Sequence, residues 1–261
     1  MIIDIPALKN AVTAMNISLT ERQIAQFEQY ACLLAEWNRR MNLTAVTDPA
    51  GISLTHFADS LSVAAKVPLK ENASLIDVGT GAGFPGMALK ILRPDLRVTL
   101  LDATNKRVAF LRAVIDALEL NEIETVHARA EEAGQAPQYR ERYDYATARA
   151  VAALPVLCEY CLPFVRTGGT FIAQKGPDPK EEISAARNAI EKLGGRIGGV
   201  YEFTLPDYKD EKNIPAPLVK GGMSARPTGG ILYRSLISIQ KISQTPRQYP
   251  RNAAKMSKNP I

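Results

Sequence analysis

The sequence predicts an α/β protein with a doubly wound, mainly parallel seven-stranded sheet, an antiparallel edge and an N-terminal helical extension. Three observations lead to this prediction. The first part of the 261-residue chain has helical periodicity, strands and helices alternate from Ser74 onward, and two strands near the C-terminus have no long helix between them. Repeated strand–helix units with right-handed crossovers form parallel sheets that helices cover on both faces.

The N-terminal part is predicted to be helical. In residues 19–39 apolar side chains recur at mostly three- and four-residue intervals, which is typical of an amphipathic helix. Thr20 stands where an N-cap is expected, and Gln23 follows three residues later, which is a capping-box pattern. Residues 42–49 interrupt the periodicity, and a second helix is expected near Ile52–Lys66.

From Ser74 onward, short apolar runs alternate with longer stretches of helical periodicity. The short runs predict strands at 74–78, 97–102, 123–128, 143–148, 169–174, 200–205 and 231–242. The longer stretches predict helices at 86–92, 106–120, 154–165 and 180–193. Residues 206–230 are rich in Pro, Gly and Lys, and we expect a mobile loop that joins the last two strands.

Composition places the chain among ordinary globular proteins, with 46% hydrophobic and 23% charged residues. No segment approaches the roughly 20 apolar residues that a membrane span needs, so we expect no membrane partner. Residues 1–10 carry no basic leader, and we expect a cytoplasmic monomer. We expect three parts, namely a helical extension at 1–70, the main domain at 71–245 and a basic tail at 246–261.

Cysteine and histidine give little sign of chemistry. Cys158 and Cys161 form a C-x-x-C pair, for which redox or metal chemistry is the alternative. The pair lies in an apolar helical stretch without a second such motif, so we favour buried helix cysteines. His56 and His127 are the only histidines and lie far apart in the chain, so no metal site is expected.

The net charge of +5 is distributed unevenly. From Lys212 to the C-terminus there are nine Lys or Arg and no Asp or Glu, whereas the preceding residues hold 23 basic and 27 acidic side chains. Such asymmetry indicates an anionic partner, with nucleic acid first and a membrane surface second. A solvated tail without a partner is the alternative.

The strongest chemical signal is the stretch Leu-Ile-Asp-Val-Gly-Thr-Gly-Ala-Gly-Phe-Pro-Gly at 75–86. A predicted strand runs directly into Gly79 and Gly81, and glycine lets a ligand lie against the backbone. Dinucleotide sites use G-x-G-x-x-G, whereas this spacing is G-x-G-x-G. Asp77 precedes it and would repel a pyrophosphate. S-adenosyl-L-methionine, which carries an ammonium, a sulfonium and no phosphate, fits better.

Later strands end in further candidate site residues. Asp102 ends the second strand, where an acid binds ribose hydroxyls of a nucleoside. Ala130 and Glu131 follow the third strand and are candidates to contact adenine. Arg149, after the fourth strand, is a candidate to hold cofactor or RNA, and Lys175 lies on the same rim; both are our catalytic candidates. The alternatives are a solvated strand-end acid, a solvated helix start and a surface lysine.

Several motifs together resemble the bacterial glucose-inhibited division protein B family, the small-subunit (16S) ribosomal RNA guanine-N7 methyltransferases. They include Glu-Trp-Asn at 36–38, Asn-Leu-Thr-Ala-Val at 42–46, His-Phe-Ala-Asp-Ser-Leu at 56–61, the glycine stretch, Arg-Ala-Glu at 129–131, Ala-Arg-Ala at 148–150, Lys-Gly at 175–176 and Tyr-Pro-Arg at 249–251. The resemblance covers nearly the whole chain.

The resemblance implies a Rossmann-like class I methyltransferase domain at 71–245 that methylates N7 of the guanine at position 527 of 16S ribosomal RNA. It also implies cofactor contacts at Gly79, Phe84, Ala130, Glu131 and Arg149. Two departures from the family pattern concern the predicted RNA-facing part. Gln248 and Asn252 stand where the family tail usually has lysines, and the loop at 206–230 is longer than usual.

N7 of guanine has a free lone pair, so methyl transfer needs in-line placement more than a general base. Two other functions remain open. One is a nicotinamide-dependent oxidoreductase, which the glycine spacing disfavours. The other is a non-catalytic RNA-binding or assembly factor, which Asp77 and Asp102 disfavour. Free RNA, an assembly intermediate and the complete small ribosomal subunit are all open as substrates.

Overall fold

The structure is a computed structural model that describes residues 2–206 and 231–261. Each predicted strand is present, although the fifth and sixth begin at Val165 and Gly195, earlier than the predicted 169 and 200. They are β1 Ser74–Val78, β2 Arg97–Asp102, β3 Ile123–His127, β4 Tyr143–Arg149, β5 Val165–Lys175, β6 Gly195–Pro206 and β7 Ile231–Lys241. Its α-helices are α1 Ile5–Ala14, α2 Glu21–Met41, α3 Pro49–Gly51, α4 Asp59–Lys66, α5 Gly86–Leu92, α6 Asn105–Ala117, α7 Ala130–Ala133, α8 Leu154–Cys161, α9 Lys180–Lys192 and α10 Ala253–Lys258.

The strands form one seven-stranded sheet in the order β3-β2-β1-β4-β5-β7-β6. Strands β1 to β5 pair in parallel, and β7 runs antiparallel to both β5 and β6. The predicted mixed fold with an antiparallel edge is therefore confirmed. Because β1 lies between β2 and β4, the chain order reverses there, and a crevice opens beyond the carboxyl ends of these strands.

The N-terminal helices complete the hydrophobic core on one face of the sheet. Helix α2 begins as predicted, since the Thr20 side chain accepts from the Gln23 N–H and the Gln23 side chain accepts from the Thr20 N–H. Phe27 and Tyr30 are fully buried in the same cluster as Leu75 and Phe110. The N-terminal helices thus share one core with the sheet.

Two predicted helices differ in the structure. The helix expected over Ile52–Lys66 begins as a π-helix at Ile52–Ala58 before α4 continues it. The helix expected over 154–165 ends at Cys161, and a short 3₁₀ turn leads to Val165, where β5 begins. Pro163 explains the early end, because proline lacks the N–H that a continuing helix requires.

The second face of the sheet is covered by α8 and α9. Cys158 and Cys161 are fully buried there, which confirms the prediction of buried helix cysteines. Burial raises the pKa of both thiols. No helix among residues 2–206 and 231–261 is long and apolar enough to cross a membrane.

The basic C-terminal part is paired with acids to a larger extent than expected. Three of its cations form ion pairs with acids of the preceding chain, which are Arg234–Asp59, Lys241–Glu141 and Arg251–Glu159. The expectation that these cations face no acid is wrong, because acids distant in sequence lie beside them in the fold. The predicted loop at 206–230, with Lys212, Lys220 and Arg226, lies outside the described residues apart from Pro206, the last residue of β6.

Candidate functional site

A cleft of about 550 Å³ opens at the carboxyl ends of β1, β2 and β3. We call it the glycine-loop cleft. Its lining includes four of the sequence-predicted residues, which are Gly79, Asp102, Ala130 and Glu131. Of the other predicted residues, Asp77, Gly81, Phe84 and Arg149 lie outside its lining, and Lys175 does as well. The cleft is within the size range of small-molecule sites.

The glycine loop has a backbone that only glycine adopts readily. Gly79 and Gly81 have φ angles of 69° and 61°. A Cβ atom on Gly79 would lie 2.8 Å from the Cγ2 atom of Val151, whereas a Cβ atom on Gly81 would meet nothing within 4 Å. The loop is anchored to β2, since the N–H groups of Gly79 and Thr80 both donate to the Leu101 carbonyl.

Asp77 lies beneath this loop and is fully buried. Its Oδ2 atom accepts hydrogen bonds from the Gly86 N–H at 2.8 Å and from the Thr80 hydroxyl at 2.5 Å. Its Oδ1 atom is buried without a partner among the described residues. Burial raises the pKa of this carboxyl to about 6, despite the two hydrogen bonds and the Arg149 charge, which lower it. Asp77 therefore shapes the loop and retains one free acceptor.

Asp102 combines a structural contact with a place on the cleft wall. Its Oδ2 atom accepts from the Gly81 N–H at 2.9 Å, and its Oδ1 atom accepts from the Thr104 N–H at 2.8 Å. The side chain is buried, and Arg107 lies 3.5 Å away. A carboxylate has about four lone-pair positions, so each oxygen can still accept from a ligand hydroxyl.

A second cavity of about 420 Å³ lies next to the cleft, and we call it the Arg149 cavity. Its polar and charged lining residues are Thr55, His56, Asp59, Arg149, Gln174, Lys175 and Arg234. The turn after β4 lines both spaces in succession. Arg149 and Ala150 face the second cavity, whereas Val151, Ala152 and Ala153 face the cleft. Ala150 has a φ of 56°, in the left-handed region that residues other than glycine seldom adopt.

Arg149 is held firmly in this cavity. Its guanidinium donates to the Thr55 carbonyl at 3.0 Å and to the Asp59 carboxylate at 3.1 Å, and it lies over the Phe84 ring at 5.1 Å. The His56 ring stacks on the same Phe84 ring, with 4.7 Å between the two ring centroids. Burial and the Arg149 charge lower the pKa of His56 to about 4, so its imidazole is neutral at pH 7.

Lys175 lies at the end of β5 with its ammonium already engaged. The Nζ atom donates to the Ala152 carbonyl at 2.8 Å and lies 2.7 Å from the Glu182 carboxylate. The lysine therefore ties β5 to the turn that separates the two spaces.

Sequence reasoning missed the roles of His56, Asp59 and Arg234. The first two stand in the family motif at 56–61, which supported the family resemblance but did not indicate which residues these side chains contact. Arg234 had only its basic charge as a signal. Its Nε atom donates to Asp59 Oδ1 at 3.2 Å, which is a contact across 175 residues of sequence.

Comparisons with known proteins agree with this architecture. A family model described as GidB, rRNA small subunit methyltransferase G, matches residues 23–206. The chain is 48% identical to a "Ribosomal RNA small subunit methyltransferase G" of Acetivibrio thermocellus, over 97% of this chain and 95% of that protein. It is 47% identical to the protein of the same name from Alkaliphilus metalliredigens, over 97% of both chains.

Solved structures share the fold at low sequence identity. A SAM-dependent O-methyltransferase from Thermotoga maritima superposes with a TM-score of 0.51 and 18% identity, over 82% of this chain and 72% of that one. TYW2 of P. horikoshii, solved in complex with MeSAdo, has a TM-score of 0.50 and 12% identity, over 70% of this chain and 62% of that one.

Proposed function

This chain belongs to the GidB family, and from that membership we propose that it transfers a methyl group from S-adenosyl-L-methionine to N7 of the guanine at position 527 of 16S ribosomal RNA. One observation of the structure carries the proposal. The glycine-loop cleft and the Arg149 cavity lie on the two sides of a single turn, residues 149–153. A methyl donor in the cleft and a base in the cavity would therefore be neighbours.

The residues of the cleft fit S-adenosyl-L-methionine. Asp77 lies beneath the glycine loop, outside the cleft lining, and its Oδ1 atom is buried without a partner among the described residues, so its negative charge suits a cationic amino-acid moiety bound near the loop. Asp102 would accept from the ribose hydroxyls, and the backbone of Gly79 would lie against the amino-acid part. At the start of α7, the Ala130 N–H would bind the adenine edge, with Glu131 beside it. When bound, this cofactor supplies an electrophilic methyl group on a sulfonium.

In the Arg149 cavity, the task of the protein is placement. Guanine N7 carries a lone pair and needs no deprotonation, so the side chains must hold the base in line with the methyl group. Arg149 is fixed by Asp59 and Thr55, and the buried Phe84 ring packs against its guanidinium. The low pKa of His56 keeps its imidazole neutral, so it does not repel the cationic methylated guanine.

The proposed partner is 16S ribosomal RNA, free or within the small ribosomal subunit. N7 of a paired base lies in the deep, narrow major groove of RNA, so we propose that the target guanine is accessible and partly unstacked. We propose that the protein works in the bacterial cytoplasm, where its ribosomal RNA substrate would be, and that it does so as a monomer.

Binding and transfer experiments test the proposal. Calorimetry with S-adenosylhomocysteine and with NAD should show binding of the first alone, and NAD binding would favour the oxidoreductase alternative. Labelled methyl donor should then label 16S ribosomal RNA in small subunits. Binding of S-adenosylhomocysteine without any transfer to free RNA, assembly intermediates or complete subunits would favour a non-catalytic RNA-binding factor.

A further inference from the structure

Residues 245–261, which we call the C-terminal strap, fold back onto the body of the protein. Tyr249 is buried and Met256 is fully so. Short helix α10 lies within the strap, and the Asn252 side chain caps it by accepting from the Lys255 N–H at 2.9 Å. The strap was expected to face RNA as a basic tail, but its Tyr249 and Met256 side chains are buried in intramolecular contacts.

One arginine of the body binds the start of the strap through its backbone. The guanidinium of Arg140 donates to the carbonyls of Thr245 and Tyr249, both at 2.8 Å. The amide of Gln135 donates to the Pro250 carbonyl at 3.0 Å. All three bonds end on backbone carbonyl oxygens of the strap. They therefore fix the path of its backbone and do not depend on its side chains.

The second anchor is an ion pair between Arg251 and Glu159 of α8. Nε of Arg251 donates to Oε1 at 2.8 Å, Nη2 donates to Oε2 at 2.7 Å, and the Arg251 N–H donates to Oε1 at 2.7 Å. The Glu159 side chain is 1% exposed and the Arg251 side chain 23%, so the carboxylate is buried and the guanidinium covers it from the strap side. Bidentate charged bonds of this kind have a defined geometry and orient the groups that carry them.

The strap reaches the glycine-loop cleft just beyond this anchor. Ala253, the first residue of α10, and Pro260, just after the helix, line the cleft together with Asp102, Glu131 and Tyr160. Tyr160 follows Glu159 directly in α8, so the ion pair joins two walls of the same cleft. Arg251 thereby acts on the cleft through its chain neighbours and not by touching a ligand.

We propose that the C-terminal strap is a wall of the cofactor site and that Arg251 and Glu159 are positioning residues that hold Ala253 and Pro260 against the bound cofactor. The identity of the ligand rests on the proposed function above. The proposal assigns the strap to cofactor retention, whereas its basic composition had suggested an anionic partner, with nucleic acid first. By linkage, a bound cofactor must in turn stabilise the docked strap.

A steric variant with a matched control tests the wall directly. Ala253→Trp places a large side chain at the cleft, and Ala254→Trp places it on the neighbouring exposed residue. By calorimetry, Ala253→Trp should bind S-adenosylhomocysteine about tenfold more weakly or worse, and Ala254→Trp should bind like the unmodified protein. Both variants should melt near the temperature of the unmodified protein.

The positioning pair is tested by Arg251→Met and Arg251→Lys, with Lys258→Met as the control for loss of a cation in the same segment. We expect weaker binding of S-adenosylhomocysteine in Arg251→Met, an intermediate effect in Arg251→Lys because lysine keeps the charge without the bidentate geometry, and no effect in the control. Hydrogen exchange supplies a second readout. Amides of residues 249–261 should exchange more slowly when S-adenosylhomocysteine is added, and this protection should shrink in Arg251→Met.

The outcomes separate the strap from the proposed function. If the unmodified protein fails to bind S-adenosylhomocysteine, the proposed function is wrong. If it binds, and Asp102→Ala weakens binding, but Ala253→Trp binds normally and strap exchange is unaltered by the ligand, the proposed function stands and the strap proposal is overturned.

Discussion

The carboxylate of Asp59 bridges the guanidinium groups of Arg149 and Arg234, which lie 3.1 Å and 3.2 Å from its two oxygens. Asp59 itself is buried at the first turn of α4. Arg149 is the last residue of β4, and Arg234 lies in β7. One carboxylate thus holds together the N-terminal helices, the parallel part of the sheet and its antiparallel strand, at the wall of the Arg149 cavity.

We expect Asp59→Asn to reduce methyl transfer strongly and to destabilise the protein. The amide retains the shape but leaves two arginines without a counter-charge, and removal of charged hydrogen bonds of this kind costs roughly 1.5 to 3 kcal/mol each. Urea unfolding measures the stability loss, and single-turnover transfer at saturating cofactor measures the positioning of Arg149. A folded variant with an unaltered transfer rate would show that the bridge has no part in placing the substrate.

Arg149→Ala should abolish most of the transfer while cofactor binding changes little, because Arg149 lines the cavity and not the cleft. Calorimetry with S-adenosylhomocysteine and single-turnover transfer give the two quantities. A large loss of cofactor affinity would show that Arg149 contacts the cofactor, as the family resemblance implies. A single-turnover transfer rate like that of the unmodified protein would show that Arg149 has no part in the site.

Asp102→Ala should weaken binding of S-adenosylhomocysteine by about 10- to 100-fold, since charge-assisted hydrogen bonds contribute roughly 1.5 to 3 kcal/mol. Part of this effect comes from the Gly81 N–H, which loses its acceptor. Asp102→Asn keeps an acceptor for that N–H and serves as the matched control, for which we expect a smaller loss of affinity for S-adenosylhomocysteine. Unaltered affinity in folded Asp102→Ala would contradict the ribose role.

Asp77→Asn should make the apoprotein more stable and bind cofactor more weakly. Because burial raises the carboxyl pKa from 3.8 to about 6, the folded state binds the proton more tightly than the unfolded state. Ionisation therefore costs stability as pH rises from about 4 to 6, and the cost stays constant above that range. From low pH to pH 7, the stability of the variant relative to the unmodified protein should therefore rise by on the order of 3 kcal/mol, at 1.36 kcal/mol per pKa unit. Urea unfolding of both proteins at pH 4, 6 and 7.5 measures this difference.

A gain in stability that is independent of pH would contradict the raised pKa. The variant keeps an acceptor for the Thr80 hydroxyl and the Gly86 N–H, so the glycine loop should retain its shape. Unaltered affinity for S-adenosylhomocysteine would show that Oδ1 of Asp77 does not serve the cationic part of the cofactor.

The cations of the C-terminal strap should divide into two groups. Neutralising Arg247, Lys255 and Lys258 should lower RNA affinity and reduce the log–log salt slope by roughly 0.7 to 0.9 for each RNA phosphate that the variant no longer neutralises. Arg251→Met should instead act on cofactor binding, because its guanidinium is paired with Glu159. If the triple variant is folded and keeps both the affinity and the salt slope, the RNA surface lies elsewhere, for example around Arg39 and Arg40.

The sequence predicted the sheet well because strand periodicity and the glycine stretch are local signals. Ser74–Val78 and Arg97–Asp102 match the structure at both ends. The capping box of Thr20 and Gln23 is equally local. Within the site, four cleft residues followed from their places at strand ends, since parallel strands bring those ends together.

Contacts between distant parts of the chain could not be predicted in this way. Asp59 and Arg234 meet across 175 residues, and Arg251 and Glu159 meet across 92. Neither pair has a spacing that a sequence reveals, so the C-terminal cations were expected to be solvated and to face RNA. The wall formed by Ala253 and Pro260 was not predicted either, since neither residue has a polar or charged side chain that would mark a binding site.

Mapping the methylated nucleoside tests the central claim most directly. Small ribosomal subunits that lack the modification are incubated with the protein and labelled S-adenosyl-L-methionine, and the labelled RNA is digested and sequenced around each modified base. We predict one labelled product, 7-methylguanosine at position 527 of 16S ribosomal RNA, whose yield falls strongly with Arg149→Ala. Label at another atom or another nucleotide, or no label while S-adenosylhomocysteine binds, would contradict the account.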